Sequence, residues 1–243
     1  MGLNHSRRLY AGDMRLIVLW DIDHTLIDNA GVSKETYAGA FTALSGFPPA
    51  EAARTEGRTD RLIMRDMFCR HRLPVPDWTA IEAALAHAGE ERFDDLRARG
   101  TALPGVRDVL KAVSAREGWI SSVLTGNIAA NARVKLSAFE LDPLLDLSVG
   151  AYGEDAVQRP DLVAVARRRV HQLRGVRGEV PVVLVGDTPR DVEAALSTGS
   201  GIIAVASGIH SEEELTAAEA PVVLPDLSDT AGLLEILASF ARW

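Results

Sequence analysis

The sequence predicts an α/β protein, a doubly wound parallel sheet interrupted early by a block of helices. Three observations predict it. Short β-rich runs alternate with helical segments along most of the 243 residues, the order that winds a parallel sheet. The runs are apolar throughout rather than alternating, as strands buried on both faces are. From Asn29 to about Leu103 no run reads as a strand, and roughly 70 residues of helix exceed any ordinary strand-to-helix connection.

The first strand is Leu16 to Asp21, a Leu-Ile-Val-Leu-Trp run that stops at a carboxylate. Helices are then expected at Val32–Ser45, Pro49–Glu56, Arg58–Arg72 and Trp78–Arg99, the last with Ile81, Leu85, Ala88 and Leu96 on one face. Strands follow at Ile120–Thr125, Leu147–Gly150, Val180–Val185, Ile202–Val205 and Pro221–Leu224. Between and after them lie helices at Val106–Arg116, Ile128–Phe139, Asp161–Arg174, Arg190–Thr198, Ser211–Glu219 and Thr230–Phe240. Residues 1–29 and 103–243 therefore make one α/β core, and residues 30–102 a helical domain inserted after its first strand. Functional residues of such a sheet gather at the carboxyl ends of its strands.

Composition narrows the function classes. A 47% apolar and 25% charged chain is an ordinary globular protein, and no apolar run approaches the span a bilayer needs. Net charge is −8, which argues against general attraction to nucleic acid or anionic lipid. The one basic cluster, Arg167-Arg168-Arg169 with Arg174 and Arg177 behind it, has no interleaved aromatics and reads as a solvated helix face. Cys69 is the single cysteine, so a disulfide framework is excluded and a reducing, cytoplasmic setting is expected. Met1-Gly2-Leu3-Asn4-His5-Ser6 fits an acylation pattern, but one acyl chain anchors only marginally, and the segment reads as a disordered leader.

The chemistry lies at strand ends. Asp21-Ile22-Asp23-His24-Thr25 places two carboxylates at i and i+2 after the first strand, a like-charged pair that calls for a cation. Thr125-Gly126-Asn127 follows the second, where a hydroxyl and backbone amides can hold a phosphoryl oxygen. Gly186-Asp187-Thr188-Pro189-Arg190-Asp191 brings two more acids, four apart. Each stretch has a plainer reading as a turn or helix cap. Two acid pairs at two strand ends, however, form an oxygen-rich site suited to Mg²⁺. Arg159-Pro160-Asp161 offers a fixed positive charge just before a helix.

In that order, these four segments resemble the haloacid-dehalogenase-like hydrolase superfamily, from Arg15 to Leu237. The helical insertion is similar to the cap of the subfamily containing phosphoglycolate phosphatase, with Gly57-Arg58-Thr59-Asp60 resembling a segment of such caps and Leu103-Pro104-Gly105-Val106 the return to the Rossmann-like core. Two departures stand out. His24 occupies a position usually held by Gly, and Arg159 one usually held by Lys. The chain has three lysines, Lys34, Lys111 and Lys135, against 23 arginines.

The resemblance implies a Mg²⁺-dependent phosphatase of a small phosphorylated metabolite. Asp21 would be the nucleophile and Asp23 the acid and base; Asp21, the Asp23 backbone carbonyl, Asp187 and Asp191 would surround the metal. Thr125, Gly126, Asn127 and Arg159 would hold the phosphoryl group. Separately from the resemblance, Arg58, Arg61 and Arg65 of the helical insertion offer charge for an anionic leaving group, although helices expose arginines routinely. Displacing halide needs no acid, so Asp23 speaks against a 2-haloacid dehalogenase; Thr25, where phosphosugar mutases more often carry Val, leans away from those. The rivals outside enzymology are a phosphoacceptor signalling domain, which would be shorter and lack the insertion, and a non-catalytic phosphoester binder.

Overall fold

The computed structural model describes residues 14–241; the leader read at Met1–Ser6 lies outside them. Along the chain, β1 (Leu16–Trp20) and β2 (Ile27–Asp28) precede four helices, α1 (Val32–Ser45), α2 (Asp60–Arg70), α3 (Trp78–Glu91) and α4 (Phe93–Arg99). Then come β3 (Thr101–Ala102), α5 (Val106–Ser114), β4 (Trp119–Val123), α6 (Ala129–Ala138) and α7 (Arg159–Arg174). The chain finishes with β5 (Val182–Gly186), α8 (Pro189–Ser197), β6 (Gly201–Val205), α9 (Glu212–Ala217), β7 (Val223–Leu224) and α10 (Thr230–Phe240).

Five parallel strands form one sheet in the order β4-β1-β5-β6-β7. The uniformly apolar β1 run is explained by burial on both faces. Leu16, Val18 and Trp20 pack with α5, α6 and α10 through Val109, Leu136 and Leu233, whereas Ile17 and Leu19 pack with α7, α8 and α9 through Leu162, Val192 and Leu215. Helices α1 to α3 build their own apolar cluster around Phe41, Met64, Met67, Phe68 and Leu85. Among the described residues no helix is long and apolar enough to cross a membrane.

Several expected elements come out differently. Leu147–Gly150 is not a strand: only Leu124 and Ala151 bridge. That stretch runs past the open edge of β4 and bonds it at intervals, Asp146 N–H to Ser121 O and Ala151 N–H to Val123 O. Pro49–Glu56 is not a helix. The segment runs on as a loop to Thr59, its carbonyls at Ala52 and Glu56 taken by the guanidinium groups of Arg70 and Arg190. The Arg58–Arg72 helix begins only at Asp60, leaving Arg58 on that loop. The segment 78–99 breaks at Arg92 (φ −102°, ψ 12°), whose guanidinium turns back to the Ala88 carbonyl. Conversely, α7 begins two residues early, with Arg159 and Pro160 in its first turn, where a missing N–H costs nothing.

Nothing in the sequence pattern marks β2 and β3, an antiparallel pair that joins the two ends of the helical segment, Ile27 opposite Ala102 and Asp28 opposite Thr101. The basic face of α7 is also less solvated than its composition indicates. Arg169 pairs with Asp155 through two bonds, Arg174 with Asp146, and Arg167 donates to Ser200; Arg168 is exposed.

Candidate active site

The carboxyl ends of three adjacent strands, β4, β1 and β5, supply the site. Asp21 follows β1 directly, Thr125 comes two residues after β4, and Asp187 follows β5. In a parallel sheet these ends lie on one edge, so the three motifs converge without any long-range accident. Asp191 reaches the same place from the first turn of α8, where Thr188 caps the helix and donates from its hydroxyl to Asp191 Oδ2 at 2.6 Å.

Arg159 Nη2 lies 3.0 Å from Asp21 Oδ2 and 2.5 Å from Asp191 Oδ1, and its side chain is 4% exposed. Asp187 accepts from Thr25 Oγ1 at 3.0 Å. Asp21, Asp187 and Asp191 are all buried, with ligand atoms within 4.8 Å of one another. One guanidinium thus faces three buried carboxylates. Burial pushes Asp21 up to about 6; Asp191 and Asp23 add to the rise and Arg159 opposes it. Burial also raises Asp187 well above the usual carboxylate range, helped by Asp21 and Asp191. This deficit of positive charge, made wholly of hard oxygen donors, fits a divalent cation.

Asp23 points elsewhere. Its Oδ1 accepts from Asn29 Nδ2 at 2.7 Å, Ser33 Oγ at 3.2 Å and Lys135 Nζ at 2.9 Å. Its Oδ2 accepts from Lys135 Nζ at 2.6 Å and Asn127 Nδ2 at 2.8 Å. Burial would raise this carboxyl, but the Lys135 ammonium and the amide donors hold it well below the ordinary range. The Asp23 side chain, which the resemblance does not place on the metal either, therefore stands outside the three-carboxylate cluster of Asp21, Asp187 and Asp191. His24, next in the chain, adopts φ 61°, the left-handed turn that Gly makes without strain.

A cavity of about 90 Å³ opens over these groups, lined by Asp21, Asp23, Thr125, Asn127 and Arg159 from below and by Lys34, Tyr37 and Arg58 from the helical layer. Thr125 Oγ1 accepts from Asn127 Nδ2 at 2.8 Å. The loop carrying Arg58 is fastened to the Thr125–Asn127 loop: Asp60 N–H donates to Gly126 O at 2.8 Å, and Ile128 N–H to Asp60 Oδ2 at 2.8 Å. Gly126 is required here, because a Cβ would lie 2.0 Å from the Arg58 carbonyl oxygen. Asp60 also accepts from Tyr37 Oη at 2.6 Å; its burial pushes it up to about 6 in spite of that bond.

The model of the haloacid dehalogenase-like hydrolase family matches residues 18–196. This chain belongs to that family. The hydrolase is 29% identical over 232 residues to the probable phosphatase IndB of Dickeya dadantii, covering 92% of this chain and 95% of that one. It is 28% identical over 231 residues to the phosphoglycolate phosphatase of Synechococcus elongatus, covering 93% and 98%. Its fold matches the crystal structure of a hydrolase from Pseudomonas syringae with a TM-score of 0.65 at 21% identity, covering 91% of this chain and 98% of that one.

The structure brings Asp21, Asp23, Thr125, Gly126, Asn127, Arg159, Asp187 and Arg58 around one cavity, with Asp191 behind Arg159. Sequence reasoning missed Asn29, Ser33 and Lys135, which hold Asp23, and Lys34 at the cavity wall. A signal for Lys135 was available. Asn131 and Lys135 stand one turn apart on α6, continuing the four-residue spacing from Asn127 just before it, on a helix otherwise packed through Ala132 and Leu136.

Proposed function

We propose that this hydrolase is a Mg²⁺-dependent phosphatase that cleaves a small phosphorylated metabolite through an aspartyl-phosphate on Asp21. The observation that carries the reading is the buried cluster of Asp21, Asp187 and Asp191 with Arg159 as its one guanidinium, at the floor of a cavity that Lys34, Arg58, Thr125 and Asn127 also line. Bound Mg²⁺, held by Asp21, Asp187, Asp191 and the Asp23 carbonyl, would supply positive charge against the phosphate and keep Asp21 ionised. Asp21 attacks phosphorus and the P–O bond to the leaving group breaks as the new one forms. Thr125, Gly126, Asn127 and Arg159 hold the equatorial oxygens, where charge accumulates.

Asp23 gives a proton to the departing alkoxide and then takes one from the water that hydrolyses the aspartyl-phosphate. The form described is the base. A phosphate dianion entering the same cavity opposes the pull of Lys135 and favours the acid form needed first.

Residues 30–102 serve as the cap domain that covers the site and selects the leaving group, with residues 1–29 and 103–243 as the core. Lys34 and Arg58 face the cavity from this side, which favours a small acidic leaving group, as in the substrate that gives the phosphoglycolate phosphatase relatives their name.

The test is turnover of 4-nitrophenyl phosphate and of a panel of small phosphorylated metabolites, 2-phosphoglycolate among them. Mg²⁺ is expected to support activity, chelation to abolish it, and Asp21→Asn to remove it. Full activity in excess chelator, or an Asp21→Asn variant that still turns over, would overturn the assignment.

A further inference from the structure

Lys135 is one of three lysines in a chain with 23 arginines, and it is 7% exposed. A buried ammonium is costly unless each of its protons is paired. Here its partners are Asp23 Oδ1 at 2.9 Å, Asp23 Oδ2 at 2.6 Å and Asn127 Oδ1 at 2.6 Å, which uses all three donors. Lys135 does not line the main cavity. It borders a separate void of about 20 Å³ on the far side of Asp23, beside Ser33, Arg92 and Asn131. Whatever it does for the reaction, it does through its two partners.

We propose that Lys135 is a positioning residue that sets the orientation of both Asp23 and Asn127 for phosphoryl transfer. The proposal rests on the reading of Asp23 as acid and base given above. An ammonium can only donate, so its contact with Asn127 Oδ1 fixes which way that amide is turned: the NH₂ group must face Asp23 Oδ2 and Thr125 Oγ1, each at 2.8 Å. An amide turned the other way would set its oxygen against a carboxylate and its NH₂ against an ammonium. The same ammonium touches both oxygens of Asp23 and so fixes the plane of the carboxylate, while Asn29 and Ser33 hold only Oδ1. A compact ammonium spreads its three donors tetrahedrally over these three oxygens, whereas a guanidinium holds its donors in one plane on a bulkier head group.

The test compares kcat/KM of the full-length enzyme with Mg²⁺ on an aryl ester, 4-nitrophenyl phosphate, and on an alkyl ester, 2-phosphoglycolate or the best alkyl phosphate of the metabolite panel. This parameter covers formation of the aspartyl-phosphate, in which a nitrophenolate departs without a proton and an alkoxide does not. Lys135→Met is expected to lower kcat/KM for the alkyl ester about 10²-fold, the lower end of what acid–base catalysis contributes, and for the aryl ester less than about tenfold. Hydrolysis of the intermediate still needs Asp23 as base, so the aryl ester should show a burst of nitrophenolate before a slower steady rate, absent from the parent.

A merely structural lysine would lower both esters evenly with no burst, and that result overturns the proposal. Should the Met variant not fold, Lys135→Gln, which lacks the charge but keeps a donor, is judged by the same two readouts. A parent that turns over neither ester, or an Asp21→Asn variant as active as the parent, overturns the phosphatase reading and this proposal with it. Expected behaviour of both, with an even loss in Lys135→Met, overturns the Lys135 assignment alone.

Discussion

Removing the Arg159 side chain tests the site where its electrostatics are most strained. The guanidinium is almost fully buried and bridges Asp21 and Asp191, with Asp187 in the same cluster. Arg159→Ala leaves those carboxylates without their one fixed counter-charge, and breaking a buried pair in this way costs about 3–5 kcal/mol. For a chain of this size each kcal/mol moves Tm by about 2–4 °C, so the metal-free variant should melt roughly 6–20 °C below the parent at pH 7. Asp21 already sits at about 6 with Arg159 beside it. Without it Asp21 is pushed higher and is protonated near neutral pH. The melting gap should accordingly narrow at pH 5, where both proteins carry a protonated Asp21.

Activity should fall with stability. Loss of one preorganised electrostatic partner lowers kcat by about 10²–10³, measured as phosphate release from 4-nitrophenyl phosphate with saturating Mg²⁺ below the variant's melting range. Arg159→Lys keeps the charge and should retain far more activity than Ala, with some loss from its shorter reach. Arg168→Ala, exposed on the same helix, is the control and should match the parent. An Ala variant with the parent's Tm and kcat would refute the account, because a buried guanidinium between two carboxylates cannot then be what holds them.

Metal and proton should compete for the same cluster. Asp21 and Asp60 both titrate near 6 in the fold, above the ordinary 3.8, so the folded state binds more protons and their contribution to stability falls as pH rises from 3.8 towards 6. Mg²⁺ should therefore raise Tm strongly at pH 7.5 and little at pH 5; an equal rise at both, followed by calorimetry, would contradict it. His24→Gly should relieve a left-handed residue that costs roughly 1–2 kcal/mol and raise Tm by about 2–8 °C. An unchanged or lowered Tm would show that the turn after Asp23 holds no such strain.

Much of the architecture was legible because its signals are local. The β1 run ends at Asp21, and the motifs after β4 and β5 sit where strand-end polarity marks them. Arg159 reads from the sequence as standing just before a helix, and the structure takes it into the first turn of α7. What was not legible depends on contacts distant in sequence. Two-residue strands such as Ile27–Asp28 and Thr101–Ala102 carry no periodicity, and only the approach of the two ends of the helical segment defines them. The Pro49–Glu56 stretch has helix-forming composition, yet contacts with residues distant in sequence win over propensity: Arg70 and Arg190 bond its Ala52 and Glu56 carbonyls, and Gly126 fixes Asp60 just beyond it. The polar spacing Asn131–Lys135 on α6 marks Lys135 as unusual, but its partner Asp23 lies more than a hundred positions earlier, so the spacing alone does not say what it holds.

The pairing of β2 with β3 has a consequence for how this protein can change. Both ends of the helical segment leave the sheet side by side, so the segment hangs from a two-strand clasp, with an apolar cluster of its own. Closing such a loop costs little more when it is longer, about 0.6 kcal/mol for each doubling. Helices could be lengthened, exchanged or replaced there while the spacing of Asp21, Thr125 and Asp187 is left untouched by the sheet that fixes it. Such an arrangement allows the choice of leaving group to diverge among descendants of one chain while the apparatus that handles phosphorus is inherited intact.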